Sequence, residues 1–187
     1  PSAAPRSTHR HRWPPCRPRS PPTQCNRAPT GRRPRGRRRR APRCSRRAGS
    51  CTLHRICDLA EDEGVHFTLE NLNLREHPGC PFNSTTDVLN LVSTVDRPEL
   101  KINLDLYHTQ IGEGDVIRHA QSCLPWIGEV QVADNPGRCE PGTGEMNWPM
   151  IARALHDMGY DGPVGLEAFA RNKEEDALEA FRAAFTL

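Results

Sequence analysis

Segments of strand character alternate with segments of helix character between residues 53 and 185, and this alternation limits the possible folds more than any other feature. Four short apolar runs, VHFTLEN, LKINLDLYH, GEVQVAD and GPVGLEAF, recur at intervals of roughly 30 residues. Strands and helices that alternate at this spacing are typical of βαβ units with a parallel sheet. We therefore predict an α/β fold, in which right-handed crossovers place the C-terminal ends of all four strands at one ligand-binding edge.

The segments around these strands carry helix signals. LHRICDLAEDEG has apolar residues at helical spacing and Gly64 to end it, and STTDVLNLVSTVD begins with Ser84 and Asp87 in the arrangement of a capping box. GDVIRHAQSCLPWIG predicts a third helix that ends near Pro125. NWPMIARALHDMGY begins with Asn147 as a cap, and EEDALEAFRAAF predicts a last helix with acids in its first turn.

The N-terminal fifty residues have a different composition from the rest of the chain. They hold sixteen arginines, ten of the 18 prolines and no lysine, aspartate or glutamate, so their charge is +16, against +3 for the whole chain. Such a segment buries too little apolar surface to offset the entropy of ordering, and we predict that residues 1–52 are disordered. We interpret them as a GC-rich gene read out of frame. The alternative is a tail that binds nucleic acid through its phosphates, a partner that we do not expect to be physiological.

This division predicts a partial α/β domain over residues 53–187. The chain starts with proline, which indicates a fragment or a misplaced start. No segment has the apolar centre of a signal peptide or the ~20 apolar residues of a membrane span, so we predict a cytoplasmic protein without a membrane partner. The eight cysteines include no C-x-x-C pair, which favours free thiols over disulfides or a zinc site.

A polar residue stands near the end of each predicted strand: Glu70, Asp105, Gln131 and Glu167, separated by 35, 26 and 36 residues. An unpaired carboxylate in an apolar strand is costly to bury, and convergence on one hard cation would offset that cost. Three carboxylates and one amide oxygen suit Mg²⁺ or Mn²⁺ better than zinc. One such acid alone is more often salt-bridged, but four on successive strands indicate a metal site.

Further polar residues lie beside these strand ends. His108 follows Asp105 on the loop side and could donate to a substrate oxygen; the alternative is an ordinary surface histidine. In the loop after the third strand, Arg138 could reach a substrate carboxylate and Glu140 could fix its neighbours. Glu76 is either a similar supporting group or a solvated loop charge.

ADNPGRCEPGTGEMNW, followed by LHDMGYDGPVGLE, closely resembles the hydroxypyruvate isomerase branch of the xylose isomerase-like TIM-barrel superfamily, and NLDLYHTQIGEGD matches its preceding strand and loop. The resemblance covers about residues 54–187. It implies the C-terminal half of a (β/α)8 TIM barrel, with about four βα units. Gln131 stands where the sugar epimerases of this superfamily usually have histidine, which favours the hydroxypyruvate isomerase branch.

The same resemblance implies a divalent metal held by Glu70, Asp105, Gln131 and Glu167, with Glu70 and Glu167 as the catalytic acid/base pair. His108 and Arg138 would contact the substrate, with Glu76 beside them. The family reaction converts hydroxypyruvate to tartronate semialdehyde through an enediolate. Such an isomerisation needs one group to abstract a proton, another to return it and a cation to stabilise the oxyanion.

Several other interpretations stay open. Half a barrel would leave two open strand edges and an uncovered apolar face, so the chain could self-associate as a half-barrel or be an inactive truncated remnant. A related ketose epimerase would use the same acids on a sugar substrate. A nucleic-acid-binding protein or a nuclease with the same barrel is also conceivable, but multi-zinc nuclease chemistry needs more strand-end histidines than His108 provides.

Overall fold

The structure, a computed structural model, describes residues 44–186, with side chains from residue 49 onward. The disorder expected for residues 1–52 lies outside the described range over residues 1–43, and residues 44–52 are helical instead. Helix α1 already begins at Cys44, so the expected boundary between residues 52 and 53 falls inside a helix. Within the described part of the chain, no helix has the length and apolar content needed to cross a bilayer.

Helices and strands alternate as the sequence predicts. The elements are α1 (Cys44–Glu63), β1 (Phe67–Glu70), α2 (Thr85–Val95), β2 (Leu100–Asp105), α3 (Leu106–Gly112), α4 (Val116–Cys123), β3 (Ile127–Val132), α5 (Trp148–Asp157), β4 (Val164–Leu166) and α6 (Glu174–Phe185). A 3-10 turn, Leu124–Trp126, follows α4 and contains Pro125, which confirms that the third predicted helix ends there. Asn147 caps α5 by accepting a hydrogen bond from the Met150 amide.

The four strands form one parallel sheet in the order β1-β2-β3-β4. The predicted α/β fold with a parallel sheet is therefore confirmed, and the described residues form part of a barrel. Asp105 at the end of β2 pairs in register with Gln131 of β3, which in turn pairs with Gly165 of β4. This register brings the polar strand ends to the same edge of the sheet, as parallel pairing requires.

The two faces of the sheet differ in chemistry. Alternate residues of β2 and β3 pack under the helices with less than 3% of their surface exposed; they are Leu100, Ile102, Leu104, Val130 and Val132. Because side chains alternate along a strand, the opposite face carries their neighbours.

That opposite face is polar. Its members are Thr68, Lys101, Asn103, Glu129 and Gln131, and the Thr68 hydroxyl lies 3.5 Å from a Glu129 carboxylate oxygen. The expected uncovered apolar face is therefore wrong for the described residues, because the interior positions of these strands hold charged and amide groups. Self-association through the outer strands β1 and β4 stays a prediction.

The strand predicted as LKINLDLYH is shorter than expected. It ends at Asp105, whose side chain accepts hydrogen bonds from the amides of Tyr107 and His108 and so starts helix α3. Strand propensity continues through LYH, but the strand-end carboxylate gives the next amides a helical partner. His108 consequently projects from the first turn of a helix instead of a strand.

Candidate active site

Asp105 lies at the centre of the polar strand ends and is 1% exposed. Its Oδ1 accepts from the Tyr107 amide at 2.7 Å and the His108 amide at 3.1 Å, and its Oδ2 accepts from Arg138 Nη2 at 3.0 Å. Burial raises the pKa of Asp105 to about 7, although these donors and the Arg138 charge favour the ionised form. A cation beside Asp105 would shift that balance toward the carboxylate.

Asn71, directly after Glu70, joins the ends of β1 and β2. Its Oδ1 accepts from the Asp105 amide at 2.9 Å, and its Nδ2 donates to the Asp105 carbonyl at 3.1 Å. Nδ2 also lies 3.2 Å from the Thr85 hydroxyl and 3.1 Å from the Thr109 hydroxyl. Asn71 was not among the residues predicted from the sequence. An asparagine that follows a strand-end acid is the local signal, but only the fold reveals its partners, 14 to 38 residues away.

His108 is buried and lies between two groups of carboxylates. Its Nε2 is 3.5 Å from Glu70 Oε1 and 3.6 Å from Asp105 Oδ2, and its Nδ1 is 2.6 Å from Asn73 Nδ2. Burial, followed by the Arg138 charge, lowers the pKa of His108 to about 4. The ring is therefore neutral at neutral pH. Asn73 Nδ2 beside Nδ1 and Arg138 Nη1 beside Nε2 are both donors, so the neutral ring accepts a hydrogen bond at one nitrogen and carries its proton on the other.

Glu76 supports this arrangement instead of pointing freely into solvent. Its carboxylate accepts from Asn73 Nδ2 at 2.9 Å and from the Tyr107 hydroxyl at 2.8 Å, while its amide donates to Asn73 Oδ1. Although burial acts to raise it, these hydrogen bonds hold the pKa of Glu76 below its usual value. Burial, followed by the hydrogen bond to Glu76, raises the pKa of Tyr107 to about 12.

Arg138 connects the two ends of the site. Its Nη2 donates to Asp105 Oδ2 at 3.0 Å and to Glu167 Oε2 at 2.5 Å, and its Nη1 lies 3.0 Å from His108 Nε2. The guanidinium also stacks over the Tyr107 ring at 4.9 Å. Arg138 has a positive φ of 53°, so the loop holds this residue in an unusual backbone conformation.

The loop that carries Arg138 is organised by Asp134, a buried residue that the sequence analysis did not single out. Its Oδ1 accepts from the amides of Asn135 and Met146, and its Oδ2 accepts from the Gly142 amide at 2.8 Å and from Trp148 Nε1 at 3.0 Å. One carboxylate therefore ties together both ends and the middle of the loop.

Two further residues close this loop. Gly144 packs so near to Asn135 and Asp134 that a Cβ atom would overlap both. Glu140 accepts from the Arg171 amide at 2.9 Å, which joins the loop to the segment after β4. The expectation that Glu140 fixes its neighbours agrees with this contact.

Gln131 and Glu167 complete the set of strand-end residues. Gln131 Oε1 is buried, and no described atom donates a hydrogen bond to it. Such an atom is costly to bury unless a ligand satisfies it. Glu70, Asp105 and His108 are close enough to hold one ion, since one ligand atom from each lies within 4.8 Å of the others. The residues therefore fit a divalent cation, and this oxygen-rich set suits a hard one.

Glu70 is only partly exposed in this arrangement. Burial, followed by the negative charge of Glu167, raises its pKa above the usual value. A carboxyl group with a raised pKa is closer to the operating range of a general acid or base. Glu167 lies just beyond β4 and is half exposed, with Arg138 as its partner.

A cavity of about 820 Å³ opens beside these groups. Arg75, Glu76, Arg138 and Glu167 supply its charged lining, and Phe169 contributes to its apolar wall. The volume is that of a small-molecule site. Three of these four charged residues were predicted from the sequence, and Arg75 was not.

A parallel α/β sheet whose polar strand ends converge beside a cavity defines a protein of the TIM-barrel type. The chain belongs to the xylose isomerase-like TIM barrel family, because the sequence model of that family matches residues 28–185. The match covers more of the chain than the resemblance over residues 54–187, and it begins within the segment that the sequence analysis set apart.

Relatives of known name support the predicted branch. The chain is 37% identical over 110 residues to the 2-oxo-tetronate isomerase of Cupriavidus necator. The aligned region covers 59% of this chain and 42% of that protein. It is 36% identical over 115 residues to the hydroxypyruvate isomerase of Escherichia coli (strain K12), covering 62% and 45%. The predicted family resemblance is thus confirmed, and the chain spans about half the length of these relatives.

Solved structures agree with the fold. A structure named AP endonuclease, family 2, from Brucella melitensis has a TM-score of 0.67 and 34% identity, with 74% of this chain and 55% of that chain covered. The D-psicose 3-epimerase of Clostridium cellulolyticum H10, solved with D-tagatose, has a TM-score of 0.62 and 26% identity, with 72% and 52% covered.

Proposed function

We propose that this chain carries the metal site and the acid/base pair of an isomerase that converts hydroxypyruvate to tartronate semialdehyde. The observation that supports this most strongly is the buried and unpaired Gln131 Oε1, which lies in register with Asp105 on the neighbouring strand. Relatives named hydroxypyruvate isomerase and 2-oxo-tetronate isomerase support the reaction class.

The metal in this proposal is Mg²⁺ or Mn²⁺, held by Glu70, Asp105, Gln131 and Glu167. When bound, it would supply positive charge to the oxyanion that develops on the substrate. Each of the four residues lies at or next to the end of a different strand, so one rigid sheet edge positions them all. The presence of three carboxylates and one amide oxygen favours these hard cations over zinc.

Glu70 and Glu167 carry the proton transfer. One carboxylate takes a proton from C3 of hydroxypyruvate, and the resulting enediolate receives a proton at C2 from the other. The hydroxyl proton on O3 moves to O2, which completes tartronate semialdehyde. The strand order places Glu70 and Glu167 on the two outer strands, with the other strand ends between them. Each carboxylate can therefore approach the substrate from its own side.

His108 and Arg138 orient the substrate in this mechanism. The neutral His108 ring lies with Nε2 beside the carboxylate cluster, where the tautomer protonated at Nε2 would donate to a substrate oxygen. Arg138 holds Asp105 and Glu167 through Nη2 and contacts His108 through Nη1, so it orients the substrate through these groups. Glu76 fixes the ring from the opposite side through Asn73.

A related ketose epimerase is the second candidate. It is favoured by the similarity to the D-psicose 3-epimerase structure, and the same two glutamates could move a proton at a sugar carbon. The two candidates differ in the charge of the substrate, so hydroxypyruvate and neutral ketoses should be assayed side by side.

The proposal is tested with the purified 187-residue chain, Mn²⁺ or Mg²⁺, and hydroxypyruvate in D2O. Formation of tartronate semialdehyde and deuterium incorporation at its C2 are followed by NMR. Glu70→Gln and Glu167→Gln should each lower turnover by about 10²-fold or more. The exposed Glu179 on α6 provides the matched control Glu179→Gln, which should keep full turnover.

Turnover unaffected by either active-site substitution would refute the acid/base assignment. Turnover of ketoses without turnover of hydroxypyruvate would favour the epimerase. An inactive chain that folds normally and binds no metal would favour the remnant interpretation.

A further inference from the structure

Two guanidinium groups line the cavity, and one of them is already paired with carboxylates of the site. The Arg138 side chain is bonded to the carboxylates of Asp105 and Glu167, and its Nε lies 3.4 Å from the Glu167 carbonyl. Its face is covered by the Tyr107 ring, and Nη1 contacts His108. Two carboxylates therefore balance the single charge of Arg138, which leaves little positive potential for a substrate anion.

Arg75 is the other guanidinium, and it is in a different situation. Its side chain is exposed and lines the same cavity, yet it forms no hydrogen bond or ion pair with any other described residue. Its backbone position is well determined, because Asn73 and Glu76 on either side of it are joined by two hydrogen bonds. Arg75 thus presents an unbalanced charge from a fixed turn.

Formal charge makes the same point for the whole site. Four carboxylates and two guanidinium groups surround the cavity and the strand ends: Glu70, Glu76, Asp105, Glu167, Arg75 and Arg138. Their formal sum of −2 would be neutralised by one divalent cation. Without Arg75 the loaded site would stay negative and would repel an anionic substrate.

We propose that Arg75 binds the carboxylate group of the substrate and makes the site selective for hydroxy acids over neutral sugars of similar size. The inference rests on the proposed function, because it assumes that the substrate reacts at the strand-end carboxylates. An arginine suits this task, since its planar donors match a carboxylate in a bidentate manner. Arg138 keeps its role of holding Asp105 and Glu167.

The test uses the full 187-residue chain with Mg²⁺ and two probes that cannot isomerise. Glycerate carries a carboxylate, and glycerol has a neutral hydroxymethyl group in the same place. Binding of each is measured by NMR titration for the wild type, Arg75→Gln and Arg75→Lys. Arg153→Gln is the matched control, because Arg153 is exposed on α5 and its loss changes the net charge equally.

Loss of one charge-assisted hydrogen bond should weaken glycerate binding by roughly tenfold to a hundredfold in Arg75→Gln. Glycerol binding should not change, Arg75→Lys should recover part of the loss, and Arg153→Gln should bind glycerate like the wild type. Added salt should weaken glycerate binding to the wild type more than to Arg75→Gln, because an exposed charge is screened.

Equal glycerate affinity in Arg75→Gln and the wild type would overturn the inference, as would a wild type that binds no glycerate. Neither result depends on turnover. The proposed function fails separately if the wild type binds glycerate but does not isomerise hydroxypyruvate.

Discussion

Replacement of Asp134 by asparagine tests whether one buried carboxylate holds the loop over the site. Asp134 is 0% exposed, and its two oxygens accept four hydrogen bonds. Asparagine keeps one oxygen, but its amino group then faces the donors of Gly142 and Trp148. A buried donor left unsatisfied costs about 1 to 3 kcal/mol. Two such donors predict a loss of roughly 2 to 6 kcal/mol, a large part of the 5 to 15 kcal/mol typical of a domain.

The free energy of unfolding is measured by urea denaturation, followed by far-UV circular dichroism. Asp161→Asn, at an exposed position, is the matched control and should change stability by less than about 0.5 kcal/mol. Asp134→Asn should also weaken metal binding, because the Arg138 amide is bonded to the Asp134 carbonyl and the loop positions that arginine. A stability loss for Asp134→Asn no greater than that of the control would refute this account of the loop.

Three further substitutions test other contacts. Gly144→Ala should destabilise the fold by more than 1 kcal/mol because its methyl group would overlap the loop backbone, whereas Gly79→Ala meets no neighbour and should be nearly neutral in thermal denaturation. Asn71→Ala should cost about 1 to 3 kcal/mol in urea denaturation and weaken Mn²⁺ binding, because the buried Asp105 amide loses its acceptor while the Asp105 carbonyl keeps only the Thr109 hydroxyl as a donor; full retention of both would contradict its clamping role. Glu113→Gln should cost about 1 kcal/mol at neutral pH, because this carboxylate accepts from the first amides of α2. Although burial acts to raise it, the bonds from α2 lower the pKa of Glu113, so its contribution is present above the unfolded-state pKa and is lost as pH falls through the folded-state pKa. The difference between the wild type and Glu113→Gln should therefore shrink at about pH 3, and a constant difference would argue against a charged cap.

The sequence by itself determined the parts of this protein that depend on local periodicity and local hydrogen bonds. The alternation of apolar strands with amphipathic helices predicted the parallel sheet, and Ser84 and Asn147 were recognised as helix caps. The strand ends were recognised because a polar residue within an apolar run is conspicuous. These features involve residues close together in the chain, so their spacing carries the information.

Only the tertiary structure decided how the site is held together. Asp105 was predicted as a strand-end acid, but its capping of α3 depends on where β2 stops. Arg138 was predicted to meet the substrate, yet it is paired with Asp105 and Glu167, 33 and 29 residues away. Asn71 lies 34 residues before its backbone partner. Such contacts depend on the register of the sheet and on the cost of burying unpaired polar groups. Neither can be read from a local sequence pattern.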